Sequence, residues 1–432
     1  MVAQHVSAEV CIAGGGPAGM MLGLLLARAG IDVIVLEKHA DFFRDFRGDT
    51  VHPSTLDLID QLGLREKFEA IPHTRLRKLD LVVNGIRIHA IDFGLLNRPN
   101  AELALMPQWE LLDLLASEAK KYPWFTLVMN AEVTGVTHRG SRIAGVRVRT
   151  PDGVLRIDAA MTIGADGRDS AVRRALRLPV ERHGVPIDVL WFRLDKPTAM
   201  LPDTLGWIST EAFVVTIPRP DYLQCGLLIP KGSVPALREA GLPALRALVA
   251  SAVPRLTQVL GGITDWDDLK LLSVQIDRLT QWSAPGALCI GDAAHAMSPA
   301  FGVGINYAIQ DAVATANILV PLLRSGADAA ALDAGARAVE RRRARPTERM
   351  QRIQLALHRT IAQGGAELLH APPTLRERIL LANLLPVLRP LAVRVIGYGF
   401  RPERIDAAVL DRPTLGGISS ADSPRPRPGT PP

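Results

Sequence analysis

Residues 14–19 read Gly14-Gly15-Gly16-Pro17-Ala18-Gly19, a GxGxxG pattern whose chemistry is anion binding through backbone amides. Gly14 allows a tight turn, Gly16 lets the backbone approach a pyrophosphate, and Gly19 lets a helix pack closely on a strand. The helix that would begin at Pro17 and Ala18 presents unpaired N–H groups and a partial positive charge to phosphates. Glu37, with Lys38 beside it, follows at the distance where a carboxylate can accept hydrogen bonds from an adenosine ribose. Taken alone, Glu37 would be an ordinary exposed residue at a strand end. Together these residues indicate a dinucleotide and leave open which one.

Two further turns combine glycine with an acid. The run TIGADGRDSAVR, residues 162–173, contains Asp166 and Gly167, followed by Ser170 and Arg173. The run GALCIGDAAHAMSPAFGVGINYAIQDA, residues 286–312, contains Gly291 and Asp292, then Pro299 and Gly302-Val303-Gly304-Ile305-Asn306. Arg44 and Arg47 lie in a loop after Glu37, and Gln108 stands at a helix start. His52 and His295 have no partner at HxxxH or HxH spacing, so no metal site is expected. His295 reads as a structural hydrogen-bonder; His52 could face a cofactor, a substrate or only backbone. No GxSxG nucleophile motif is present.

The elements that must position these turns follow from periodicity. AEVCIAG and IDVIVLE are short buried strands on either side of a helix, AGMMLGLLLARAG, which makes a βαβ unit over residues 8–37. Pro53-Ser54-Thr55 marks a helix start and Gly63 its end. Asn84-Gly85 sits between alternating runs and predicts a hairpin. MPQWELLDLLASEAKKY is an amphipathic helix, and strands occupy residues 124–165. Between 181 and 280 the pattern is strands, a helix at LPALRALVASAVPRL, and the extended run LKLLSVQIDRL. This region is expected to form a separate sheet with Trp191, Phe192, Phe213 and Gln224 as possible lining positions. VGINYAIQDAVATANILVPLL is a long helix, and residues 335–400 are helical and rich in arginine.

A chain of 432 residues suits two or three domains, and a hydrophobic fraction of 48% is globular. The formal charge of +6 is diffuse and does not point to nucleic acid. Cys11, Cys225 and Cys289 are far apart and read as packing thiols, which fits a reducing, cytoplasmic setting. The apolar run near the N-terminus is broken by Gly14 to Pro17 and has no cationic leader, so it reads as fold rather than as an export signal.

The ordered trio of GxGxxG, Asp-Gly and Gly-Asp turns resembles the group A flavoprotein monooxygenases, the para-hydroxybenzoate hydroxylase-like family, over most of residues 8–320. The resemblance implies an α/β fold: a Rossmann-type FAD-binding domain (GR2-like) with an inserted β-sheet substrate domain and C-terminal helices. The expected FAD-binding domain comprises 1–77, 101–180 and 281–350, and the substrate domain 78–100 and 181–280. A helical region is expected over 351–418 and a disordered tail over 419–432. The implied activity is hydroxylation of an aromatic or polycyclic small molecule with O2 and NADPH or NADH, through a flavin C4a-hydroperoxide.

By the same resemblance Gly14, Gly16, Pro17, Ala18, Gly19, Glu37, Lys38, Arg47, Gln108, Asp166 and Gly167 contact FAD. Gly291 and Asp292 would hold its ribityl chain, and Pro299, Gly302, Val303, Gly304, Ile305 and Asn306 would lie beside its ring. The chemistry is borne by the flavin, and no catalytic side chain is identified.

Many family members carry a thioredoxin-like C-terminal domain, for which this chain has too few residues after 350. The apolar and basic run 374–405 could touch a membrane surface or pack as a helix pair, and Pro386 and Pro390 favour packing. The rival functions are an FAD-dependent reductase without oxygen insertion and a non-catalytic flavin-binding accessory protein. The halogenase motif WxWxIP is absent. A monomer or a homodimer is expected.

Overall fold

The computed structural model describes residues 4–43, 50–198, 204–219, 221–362 and 389–410. Arg44, Arg47, Pro386 and the tail 419–432 lie outside the described residues.

The chain opens with β1 (Gln4–Ala13), α1 (Pro17–Arg28) and β2 (Val33–Leu36), as the βαβ pattern predicts. Strand β1 starts earlier than Ala8, because Gln4 to Ser7 extend its pairing with residues 155–158. Next come β3 (Thr50–Val51), α2 (Pro53–Gln61), α3 (Arg65–Glu69) and β4 (Thr74–Leu76). The hairpin of β5 (Lys78–Val83) and β6 (Ile86–Asp92) turns at Asn84 and Gly85, both left-handed with φ of 48° and 81°. The two residue types that tolerate this conformation best therefore set the hairpin. β7 (Leu103–Leu105) and α4 (Gln108–Ala119) follow, then β8 (Phe125–Val128), β9 (Glu132–Arg139), β10 (Arg142–Thr150) and β11 (Gly153–Gly164).

After α5 (Ala171–Leu176) come β12 (Val180–His183), β13 (Ile187–Leu194), β14 (Thr204–Ile208), β15 (Phe213–Pro218) and β16 (Leu223–Pro230). Helix α6 (Val234–Ala252) begins earlier than the sequence pattern suggests and kinks at Gly241, whose φ is 84°, ahead of Pro243. The chain then runs through β17 (Lys270–Ser273), β18 (Ile276–Leu279), β19 (Ser283–Ala284), β20 (Ala287–Cys289) and β21 (His295–Ala296). Helices α7 (Gly304–Arg324) and α8 (Ala329–Ala362) pack against each other, and a further helix spans 389–398.

The first sheet has the order β19-β20-β11-β1-β2-β8, with the β9–β10 hairpin attached to β11. Strands β20, β11, β1, β2 and β8 are parallel. Val10 to Ala13 and Val33 to Leu36 are buried on both faces, which requires apolar residues without alternation. Register places Ala13 beside both Leu36 and Gly164, and Gly164 beside Cys289. Parallel pairing in that register brings four strand ends, and the turns that leave them, to one edge. That edge is where open α/β sheets bind ligands.

The second sheet has the order β17-β13-β16-β15-β14-β5-β6. Its outer face packs under α6: Leu190, Phe192, Cys225 and Leu227 meet Leu245 and Val249. Its inner face carries Trp191, Val215 and Ile217 against Leu103 and Leu105 of β7 and Val393. Alternation along β13 therefore separates two adjacent candidates: Phe192 packs under α6, while Trp191 lies on the opposite face beside β7. Gly226 makes room for Trp191, whose ring would lie 3.0 Å from a Cβ there. Gln224 is buried on the face opposite α6, and its Oε1 accepts from Arg219. The run LKLLSVQIDRL is not one strand: β17 joins the second sheet, and β18 joins a small sheet ordered β12-β18-β21.

All three cysteines are buried and free, and burial pushes the Cys11 thiol up to about 12, as inert packing thiols require. Among the described residues no helix is long and apolar enough to cross a membrane.

Candidate active site

The first turn is built by close contact between backbones. Gly14 has φ of 103°, and its N–H donates to Leu36 O at 2.7 Å. A Cβ on Gly14 would lie 2.3 Å from Ala165 O, and one on Gly19 would lie 1.9 Å from Gly14 O. Both positions therefore demand glycine for the fold itself. Gly16 differs: a Cβ there would meet nothing within 4 Å, so its glycine leaves an open face. Pro17 occupies the first turn of α1, Ala18 is buried behind it, and no side chain caps the helix start. The amides at this end are thus available to an anion.

Glu37 locks this loop from behind. Its Oε2 accepts the Gly15 N–H at 3.0 Å, and its Oε1 meets the His39 ring at 2.5 Å and the His39 N–H at 3.1 Å. Lys38 next to it is exposed. Glu37 therefore couples the glycine loop to the end of β2.

The second turn follows β11. Asp166 Oδ2 accepts N–H bonds from Ala171 at 2.6 Å and Val172 at 3.3 Å, and Ser170 Oγ accepts from Arg173 N at 2.9 Å. Together the two side chains cap α5. Burial raises the Asp166 carboxyl above its ordinary range against these bonds. Gly167, with φ of 83°, leaves its outer side open. Arg173 lies away from the edge, in a buried bidentate pair with Asp277 at 3.1 Å for each bond. A residue absent from the sequence reading, Arg168, reaches across to the third turn, with Nε 3.4 Å from Asp292 Oδ2 and Nη2 3.4 Å from Met297 O. Only folding could single it out among many surface arginines.

The third turn follows β20. Gly291 donates its N–H to Asp311 Oδ2 at 3.1 Å, leaving the partly exposed Asp292 carboxylate on the shared edge. Asp311 is fully buried and also receives His295 Nε2 at 2.5 Å and Arg343 Nε at 2.8 Å. Burial opposes ionisation of Asp311, but His295 and Arg343 outweigh it and hold the carboxyl below its usual range. Arg343 continues to Glu403 at 3.3 Å, which Arg342 also contacts. His295 is thus a structural hydrogen-bonder, as its sequence setting suggests.

Beyond it the chain bends sharply. Pro299 opens a short turn in which Phe301 and Gly302 are both left-handed, with φ of 66° and 62°. A Cβ on Gly302 would lie 2.1 Å from Thr50 Oγ1, which donates to Gly302 O at 2.7 Å. Val303 and Ile305 are buried, and Gly304, at the start of α7, has an open face. Asn306 is a hub: its Oδ1 accepts from His52 N–H at 2.9 Å and Thr55 Oγ1 at 2.7 Å, and its Nδ2 donates to Thr50 O and Gly302 O. Its side chain therefore works for the backbone. His52 is buried, with Nδ1 2.9 Å from Ile396 O, and burial lowers its pKa to about 4, so it is neutral. Gln108 is half-buried at the start of α4.

The residues fit a long dinucleotide. Glu37 and Asp292 mark points along one edge, and the glycine faces at positions 16, 167 and 304 are open where a Cβ would otherwise stand. Such an arrangement, at the strand-end edge of a parallel sheet, fits a dinucleotide-binding α/β protein. The chain belongs to the FAD binding domain family, whose model matches residues 7–352, and it is an FAD-dependent monooxygenase of the para-hydroxybenzoate hydroxylase-like type.

It is 30% identical over 412 residues to 6-methylpretetramide 4-monooxygenase from Streptomyces rimosus, covering 95% of this chain and 96% of that protein. The structure of the OxyS anhydrotetracycline hydroxylase from Streptomyces rimosus is similar with a TM-score of 0.69 and 24% identity, over 91% of this chain and 76% of that one. PqsL from Pseudomonas aeruginosa gives a TM-score of 0.70 with 24% identity, over 82% and 96% of the two chains. These two likenesses concern the fold alone.

Proposed function

We propose that this monooxygenase hydroxylates a polycyclic aromatic substrate of the tetracycline type, with NADPH or NADH as reductant. The observation that carries the substrate class is the similarity along almost the whole chain to an enzyme named for 6-methylpretetramide. Bound FAD, once reduced, supplies the electrons and activates O2.

The protein's own residues bind, orient and exclude water. In this reading Gly14, Gly16, Pro17, Ala18, Gly19, Glu37 and Lys38 hold the adenosine and pyrophosphate. Arg47, Gln108, Asp166 and Gly167 support the middle, and Gly291 with Asp292 anchors the ribityl chain. Pro299 and residues 302–306 flank the ring. The uncapped start of α7 faces it with N–H groups, which favour negative charge there. The inner face of the second sheet, with Trp191, Phe213, Val215 and Ile217, provides an apolar wall that keeps solvent away. The division into an FAD-binding domain of 1–77, 101–180 and 281–350 and a substrate domain of 78–100 and 181–280 belongs to the same proposal. So does a monomer or homodimer working in a reducing cytoplasm.

The test is a panel of polycyclic phenols screened for stimulated NADPH oxidation, with products weighed by mass spectrometry. A product heavier by one oxygen atom supports the proposal. Stimulated oxidation that releases only a reduced product would overturn it.

A further inference from the structure

Helix α8 carries three polar side chains where a packing helix would ordinarily carry apolar ones. Gln351, Gln354 and His358 are almost fully buried, and their spacing of three and then four residues puts them on one face. All three address the segment that ends in Phe301 and Gly302. Gln351 Nε2 donates to Asp277 O at 2.8 Å and to Ala296 O at 2.9 Å. Gln354 Oε1 accepts from Ser298 N–H at 3.2 Å, while its Nε2 donates to Ser298 O and Ala300 O, both at 3.0 Å. His358 Nε2 lies 2.6 Å from Ser298 Oγ, which in turn accepts from Ala300 N–H at 3.0 Å.

Strand β21 ends at Ala296, so the backbone of 297–300 has no strand neighbour to satisfy it. Gln354 fills that place, offering one acceptor and one donor to Ser298 as a neighbouring strand residue would. Buried amides in this position exclude alternatives, because any shift of the segment leaves several polar groups unpaired. The opposite side is held by Thr50 and Asn306, both on Gly302 O. The two left-handed residues are therefore fixed from two directions. The family match ends at residue 352, so Gln354 and His358 lie beyond it.

We infer that Gln354 and His358 are positioning residues for the flavin ring: helix α8 sets the backbone 298–302 and so the field and contacts at the ring. The inference rests on the proposed placement of the ring beside Pro299 to Asn306, and goes beyond it by giving a function to α8.

The experiment uses the full chain loaded with FAD and needs no substrate. Gln354→Met keeps the length of the side chain and removes all three hydrogen bonds; Gln354→Glu keeps the acceptor and loses both donations. His358→Leu removes the contact to Ser298, and His358→Gln restores a group that can donate or accept there. The visible spectrum and midpoint potential of the bound flavin are measured, together with its dissociation constant. Both Gln354 variants and His358→Leu are expected to shift the band near the flavin maximum and the potential, with His358→Gln closer to the parent. FAD affinity should stay within about tenfold, since the adenosine end is untouched.

Gly304→Val serves as the check on ring placement, because its open face would then be filled. If Gly304→Val perturbs the flavin spectrum and the Gln354 and His358 variants, folded and yellow, do not, the inference is overturned while the ring placement stands. If Gly304→Val leaves the spectrum unchanged as well, both are overturned.

Discussion

The two ends of the proposed cofactor edge are built by different physics. At the Gly14–Gly19 end the grip is backbone on backbone, Gly19 against Gly14 O inside the βαβ unit and Gly14 against Ala165 O just past β11, and the decisive contacts are distances that no Cβ could survive. At the Pro299–Asn306 end the backbone is held by side chains drawn from β3, α2, α7 and α8, more than 200 residues apart for Thr50 and Gly302. The first end is rigid because atoms are packed close. The second is rigid because many polar groups would lose partners together. Steric grips fail outright when one atom is added, whereas hydrogen-bonded networks lose stability by degrees.

That contrast can be broken most directly with two neighbouring glycines. Gly19→Ala forces a Cβ onto Gly14 O and should yield protein without flavin and with a lower melting temperature. Gly16→Ala has room in the fold, so melting should be unchanged while FAD titration shows weaker binding. Equal melting temperatures for both variants would show that packing does not distinguish the two positions.

Next in size is Arg343→Met. It leaves Asp311 and Glu403 buried without their shared cation, at a cost of about 3–5 kcal/mol in urea unfolding. Because Asp311 also holds Gly291 N–H, flavin should dissociate faster from this variant. A loss under about 1 kcal/mol would mean the network is not coupled as its geometry suggests.

His52 gives the pH arm. Its folded pKa of about 4 lies below the ordinary value of 6.5, so the unfolded chain binds the extra proton first. Its contribution to stability is complete above about pH 6.5 and is lost as pH falls toward 4, by up to about 3 kcal/mol. Chemical unfolding from pH 7 to 4 should show a shallower decline for His52→Asn than for the parent. Parallel curves would count against a buried neutral imidazole.

The smallest effect is expected at Asp292, which is partly exposed and already shares Arg168. Asp292→Ala should cost about 1–2 kcal/mol of FAD binding, close to tenfold in dissociation constant, with little change in melting. Full flavin retention would remove it as a ribityl anchor.

How far the sequence could be read follows the same division. The βαβ unit and its glycine turn were legible because strand, turn and helix are contiguous and each glycine acts over a few residues. The Asn84-Gly85 hairpin was legible for the same reason. The split of LKLLSVQIDRL between two sheets was not, since extended periodicity says nothing about which neighbour a strand takes. Phe192 and Trp191 are adjacent and alike in composition, and only the register of β13 decides which of them faces α6.

By itself, then, the chain's order of residues settled the local conformations and the class of ligand, because glycine freedom, helix starts and strand burial act over a few residues. Three turns on one edge, Asp311 beneath Gly291, Arg168 across to Asp292 and the amide face of α8 were decided only by the tertiary structure. Such contacts depend on parallel register and on helices arriving from distant parts of the chain, and neither is written in local spacing.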